Sequence, residues 1–219
     1  MNTSKSESNR QVGKHQLEEQ RESILDAAAQ LFLKNGLENT RMIDIAAQAG
    51  ITKVTLYRYF PNRDVIALEV HARMWNRIAA QVGEEAQELS PAGARRLARA
   101  MIRNFPALRD AYRYMGMFDR IYLDNPLDAA RAQWTKDRFL SIAQRGTAAE
   151  TLAHKDPQAH RLLTVLSAVL WFLEKLALRG ELTWSDQAIP LEAHLQVFEE
   201  MIMGYLDRLS EVEAINQHR

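Results

Sequence analysis

The sequence predicts an all-α protein, three short helices followed by a larger helical bundle, with about nine helices in total. Three observations carry this. Apolar residues recur at helical spacing almost end to end; runs alternating β-branched and polar residues are absent; and Gly is scarce, at 9 residues, with the 6 Pro residues mostly opening helical segments. The chain has 219 residues, 47% of them hydrophobic and 26% charged, an ordinary globular composition. Its 28 Lys+Arg balance 28 Asp+Glu, so any binding of polyanions has to come from a local basic patch. There is no Cys, which excludes disulfides, thiolate metal sites and Cys nucleophiles. The longest apolar run, residues 162–173, is too short to span a bilayer. The polar residues 1–14 have no apolar core and do not read as a secretory signal, so a soluble cytoplasmic protein is expected.

Taken in order, residues 1–17 are rich in Ser, Asn, Gln and Lys and read as a disordered arm. A helix over 18–34 places Ile24, Ala28, Leu31 and Phe32 on one face, and Gly36 stops it. A short helix follows Thr40 and ends at Gly50; another starts at Thr52 and stops at Phe60, because Pro61 restricts the residue before it. A long helix runs from Asn62 to about residue 89. Further helices are expected over 91–104, 106–123, 126–145, 157–179 and 190–210, each opened by a Pro. The organisation is then an arm at 1–17, a three-helix domain at 18–66 and a larger domain at 67–219.

The most informative stretch is residues 40–66, TRMIDIAAQAGITKVTLYRYFPNRDVI. Asp44 sits in a first helical turn, where the positive helix end favours it. Ala46, Ala47 and Ala49 keep that helix thin, Gly50 supplies a tight turn, and Thr52 caps the next helix. There Leu56 and Phe60 define a buried stripe, and at about 100° per residue Val54 and Arg58 point away from it, flanked by Thr55 and Tyr57. This is the layout of a helix-turn-helix recognition element. Four cations (Arg41, Lys53, Arg58, Arg63) against one acid (Asp44) make the stretch locally basic. A helical hairpin with a solvated charged face fits the turn equally well.

The motif resembles the tetracycline-repressor (TetR) family of bacterial regulators. The likeness lies in Thr40, Ile45-Ala46, Ala49-Gly50-Ile51-Thr52, Leu56-Tyr57-Arg58-Tyr59-Phe60 and Arg63-Asp64, without gaps, over roughly residues 18–68. It implies that Lys53, Val54 and Thr55 face bases, and that Thr40, Tyr57, Tyr59 and Arg63 meet backbone phosphates. Arg41, Thr52 and Arg58 complete the expected DNA-contact set. Val54 stands where the family often has Gly, offering an apolar side chain to a thymine methyl; Tyr59 replaces the common His, and Arg63 the usual Lys.

The last two long segments are apolar in register. Leu162, Leu166, Val169 and Leu173 form one seam, and Leu191, Leu195, Phe198, Ile202 and Tyr205 the other. The first segment is apolar nearly all round and needs two faces covered. A homodimer built on these residues meets that need, and the resemblance implies the same arrangement. It also implies a cavity for a small, largely apolar effector, with Trp75, Phe105, Tyr114, Met117, Phe118, Tyr122 and Trp134 as candidate lining.

No phosphate loop, nucleophile elbow or His-based metal motif is present, so no catalytic residue, metal or cofactor is expected. The expected function is a DNA-binding transcriptional regulator, a repressor released by its effector, acting on a palindrome-like operator in double-stranded DNA. The alternative is a ligand- or lipid-binding protein of the same helical fold that does not act on DNA, against which Lys53, Arg58 and Arg63 argue.

Overall fold

The computed structural model of the protein describes residues 3–82, 90–124, 133–135, 156–179 and 190–217, with side chains described between residues 15 and 211 of those stretches. Its elements are α1 (Thr3–Asn35), α2 (Met42–Gln48), α3 (Lys53–Tyr59), α4 (Arg63–Val82), α5 (Pro91–Tyr122), α6 (Pro157–Arg179) and α7 (Leu191–Gln217). Every regular element among the described residues is a helix, as expected from the periodicity. The helix expected over 126–145 lies outside them except for a helical stretch at 133–135. None of the described helices is long and apolar enough to cross a membrane. The chain divides into two compact units, Met1–His71 and Ala72–Arg219, and α4 contributes turns to both.

α7 runs past the expected end at residue 210 to Gln217, and two further elements differ from the sequence expectation in kind. α1 begins at Thr3, inside the stretch whose composition suggests a disordered arm. Once Ile24, Leu25, Ala28 and Phe32 are packed, extending the helix adds one backbone hydrogen bond per residue without a new nucleation cost. α5 continues through Pro106, where two helices were expected. Pro106 has no N–H to offer the Ile102 carbonyl. Ile102, Phe105 and Leu108 around it are nevertheless all buried in one core, and their packing outweighs the missing bond.

The first unit is organised around Phe32, Ile45, Leu56, Phe60 and Ile66, each fully buried and drawn from α1, α2, α3, the turn after α3, and α4. Such a side chain contributes roughly 1.5–3 kcal/mol by leaving water. Arg21 of α1 lies over the Phe60 ring, 4.6 Å from its centroid, and donates to Glu69 of α4 at 2.6 Å.

In the second unit, α5 is the central element. Its core joins Ile78 and Val82 of α4, Phe105, Leu108 and Tyr112 of α5, a row from α6, and Met203 and Leu206 of α7. Arg95–Asp207 and Arg99–Glu199 ion pairs tie α5 to α7, and Phe172 stacks on Phe198 with centroids 3.8 Å apart. This corrects part of the expected dimer seam. Leu162, Val169 and Leu173 are fully buried by the protomer's own helices, while Leu166, Leu191, Leu195, Phe198 and Ile202 are half-buried against the same core. Spacing shows which residues share a helix face; it does not say which neighbour covers that face. Of the expected seam Tyr205 is left exposed, and Trp171 on α6, at 60%, with Val197 and Met201 on α7, is exposed as well.

Candidate nucleic-acid interface

The turn between α2 and α3 sets the geometry. At the end of α2 the Ile51 N–H reaches the Ala46 carbonyl at 3.0 Å and the Gly50 N–H the Ala47 carbonyl at 3.2 Å, a Schellman closure. It places Gly50 at φ +67°, a left-handed conformation that a Cβ strains, although no atom lies within 4 Å of where that Cβ would sit. The constraint is therefore the backbone angle. Thr52 then caps α3: its hydroxyl oxygen accepts from the Thr55 N–H at 3.1 Å and lies 2.9 Å from the Thr55 hydroxyl. Leu56 and Phe60 anchor the inner side of α3, and Pro61 holds Phe60 in an extended conformation (φ −136°, ψ 122°) that ends it.

That anchoring leaves Lys53, Val54, Tyr57 and Arg58 exposed on one side of α3, with Thr55 and Tyr59 half-buried beside them. Val54 is 75% exposed, an apolar side chain between the cations Lys53 and Arg58 in the sequence of this helix. The Lys53 ammonium lies 5.8 Å from the Tyr57 ring centroid, which holds the charge on this face.

The other expected contact residues divide. Arg41, at the start of α2, is exposed but engaged: its guanidinium donates to both Asp44 carboxylate oxygens at 3.0 Å, and its backbone N–H to the same carboxylate at 3.1 Å. These bonds hold the Asp44 carboxyl below its ordinary range and raise Arg41. Thr40 is a correction. It is fully buried, and its hydroxyl donates to the Gly36 carbonyl at 2.8 Å, closing the end of α1, so this side chain does not face a phosphate. Arg63 donates to the Glu38 carbonyl at 2.9 Å and lies 4.0 Å from Asp64, pinning the α1–α2 loop to the start of α4. Ile43 on α2 is exposed as well, since Ile45 and Ala46 fill the inner face of that short helix.

Of the expected effector-lining residues, Phe105, Tyr114, Met117, Phe118 and Tyr122 are buried on α5, Trp134 is half-buried and Trp75 is exposed. Tyr114, Phe118 and Tyr122 form a stacked ladder with successive centroids 6.5 and 4.5 Å apart, and burial pushes the Tyr114 hydroxyl well above its usual range. An open surface groove of about 400 Å³ lies elsewhere, on α6 and α7, lined by Thr164, Val165, Ala168, Ile202 and Tyr205 together with His160 and Arg161. Tyr112 on α5 is fully buried, and Glu174 on α6 is a buried carboxyl that the sequence reading did not single out.

With this geometry in view, the comparisons with known proteins are direct. Residues 24–70 match the family model for bacterial regulatory proteins of the tetR family. The chain is 33% identical over 76 residues to the HTH-type transcriptional repressor KstR of Mycobacterium tuberculosis, covering 35% of this chain and 34% of that protein. It is 29% identical over 69 residues to the fatty acid metabolism regulator protein of Bacillus subtilis, covering 32% and 36%. The aligned part thus spans about a third of the length of these curated relatives. The fold is similar over most of the chain to a TetR-like transcriptional regulator from Rhodococcus sp. RHA1 (20% identity, TM-score 0.55, 86% of this chain and 96% of that one). It is also similar to a TetR family transcription regulator from Marinobacter aquaeolei VT8 (17% identity, TM-score 0.52, 87% and 97%).

Proposed function

On the premise that residues 24–70 belong to the tetR family of bacterial regulatory proteins, we propose that this protein is a DNA-binding transcriptional regulator, acting in the cytoplasm as a repressor. The observation that carries this is the exposed face of α3, where Lys53, Val54, Tyr57 and Arg58 stand out from a helix anchored by Leu56 and Phe60. α3 enters the major groove; Lys53, Val54 and Thr55 meet base edges, and Arg41, Thr52, Tyr57, Arg58 and Tyr59 meet the backbone. Arg63 and Thr40 act from behind, holding the α1–α2 loop in place. Selection from random duplex DNA tests this directly. A palindrome-like site with half-sites about one turn, roughly 34 Å, apart is the expected result. Enrichment of no site overturns it.

The second unit serves dimerisation and effector binding. Exposed Trp171, Val197, Met201 and Tyr205 lie on two helices already packed together through Phe172 and Phe198, and a second copy of the same surface covers them isologously. The dimer also explains why one α3 helix suffices per half-site. A small, largely apolar effector binds the second unit and favours the DNA-free state; a coupling of roughly 1–3 kcal/mol, about 5–150-fold in DNA affinity, makes a usable switch. A metabolite that raises the melting temperature and lowers DNA affinity in that range is the expected outcome of a screen.

A further inference from the structure

Residues 40–66 carry four cations, and the folded protein has already engaged two of them. Arg63 donates to the Glu38 carbonyl at 2.9 Å and lies 4.0 Å from Asp64. Arg41 is held more completely. Its Nε–H donates to Asp44 Oδ2 and its Nη2–H to Asp44 Oδ1, both at 3.0 Å, and its backbone N–H donates to Oδ2 at 3.1 Å. Lys53 and Arg58 are exposed and make no ion pair among the described residues.

Asp44 occupies the same edge of Arg41 that DNA needs. A guanidinium meets a carboxylate or a phosphate through a planar fork of two N–H groups, so Nε and Nη2 serve Asp44 or a phosphate, one at a time. An arginine paired with its own carboxylate also brings no net charge to the duplex, and a contact that adds no net charge releases no counterions. The hydrogen bonds from Arg41 hold the Asp44 carboxyl below its ordinary range, so it stays ionised around neutral pH and keeps its grip. The Arg41 side chain is 75% exposed and that of Asp44 33%, so exchanging one partner for the other takes a side-chain rotation and no change of fold. An exposed pair shifts such an equilibrium by up to about fivefold, enough to weaken a phosphate contact and too little to forbid it.

We propose that Asp44 sets the DNA affinity of this protein by competing with backbone phosphates for Arg41. Each protomer then meets an arbitrary duplex with two unencumbered cations of this stretch, Lys53 and Arg58, and Arg41 reaches a phosphate only by leaving its own carboxylate. The proposal rests on the reading of this protein as a DNA-binding regulator. Non-specific binding is almost wholly phosphate electrostatics, so it is the binding that Asp44 restrains most directly. That restraint suits a switch: an effector coupling of about 5–150-fold clears a protein from DNA only where its background hold on any duplex is weak.

The test uses the full-length protein and two labelled duplexes, one of arbitrary sequence and one enriched by selection, in anisotropy titrations over a salt series. Asp44→Asn keeps an oxygen to accept the Arg41 N–H and loses the charge. It should tighten binding to the arbitrary duplex by about fivefold or more and steepen the salt slope by about one. In an Arg41→Gln background the same Asp44→Asn change should lose most of that gain, because the arginine it would release is gone. Arg41→Gln alone should flatten the salt slope by clearly less than Arg58→Ala, which removes an unencumbered cation; this comparison stands if Asp44→Asn fails to fold. An unchanged slope in Asp44→Asn, an equal gain with and without Arg41, or an Arg41→Gln effect on slope as large as that of Arg58→Ala overturns the proposal. Wild-type protein that selects an operator while Asp44→Asn gains nothing defeats the competition alone. Wild-type protein that holds no duplex while Asp44→Asn gains a salt-dependent hold defeats the regulator reading and keeps the competition; no hold in either protein defeats both.

Discussion

Replacing Glu174 by Gln should make the protein more stable, by an amount that grows with pH. In the folded chain the carboxyl is sealed between α5 and α6 and titrates near 8; released by unfolding it titrates near its ordinary 4.5. Between those values the unfolded chain has lost a proton that the folded chain keeps, so wild-type stability falls as pH rises. The slope approaches about 1.4 kcal/mol per pH unit, and across this window it accumulates to an upper limit of about 4–5 kcal/mol. The contribution is fully present below pH 4.5 and fully lost once pH passes about 8. Gln has nearly the same shape and no proton to lose, so the two proteins should be nearly equal at pH 4.5 and diverge steadily above it. Urea unfolding of both proteins at pH 5, 6, 7 and 8, at one fixed protein concentration, measures the difference. Other titrating groups cancel because both chains carry them. A difference constant from pH 5 to pH 8 would refute the reasoning, since it would mean that the folded carboxyl titrates no differently from the unfolded one.

Arg58→Ala should weaken DNA binding across all sequences and reduce the salt slope by about one, whereas Val54→Ala should alter operator preference with little change in slope; binding titrations over a salt series separate the two. Thr40→Val should cost about 1–3 kcal/mol of stability, because the Gly36 carbonyl loses a buried donor, and leave the DNA affinity of the folded protein unchanged; a severalfold loss of affinity across all sequences would return Thr40 to the phosphate contacts. Trp171→Glu and Met201→Glu should shift sedimentation from dimer toward folded monomer, since each places a charge on the exposed α6–α7 surface; wild-type protein that sediments as a monomer at micromolar concentration would defeat the proposed dimer. Val169→Ala, inside the protomer's own core, should lower unfolding stability by about 1–3 kcal/mol without changing the association state at low denaturant.

Much of this protein is written locally. The α2–α3 turn was legible because Gly50, Thr52, Leu56, Phe60 and Pro61 each act within a few residues of themselves: a left-handed angle, a cap, an anchoring stripe and a stop. The exposed face of α3 followed from the same periodicity. Local rules failed where distant residues decide. Pro106 reads as a break, yet the core on both sides carries α5 through it. Thr40 has a surface residue's chemistry, but its hydroxyl meets a carbonyl four residues earlier only once α1 has ended at Gly36. Leu162, Val169 and Leu173 share a seam in the sequence, and only packing against the rest of the bundle shows that the seam faces inward while Trp171 faces out. Glu174 is the plainest case. The sequence puts a carboxyl in a helix apolar nearly all round, while its burial, with Oε1 left without a hydrogen-bond partner among the described residues, exists only once α5 and α6 close at Gly116. Helix caps and turn hydrogen bonds reach across about one helical turn and can be read along the chain; burial is set by which helix arrives from far away, and that belongs to the tertiary structure alone.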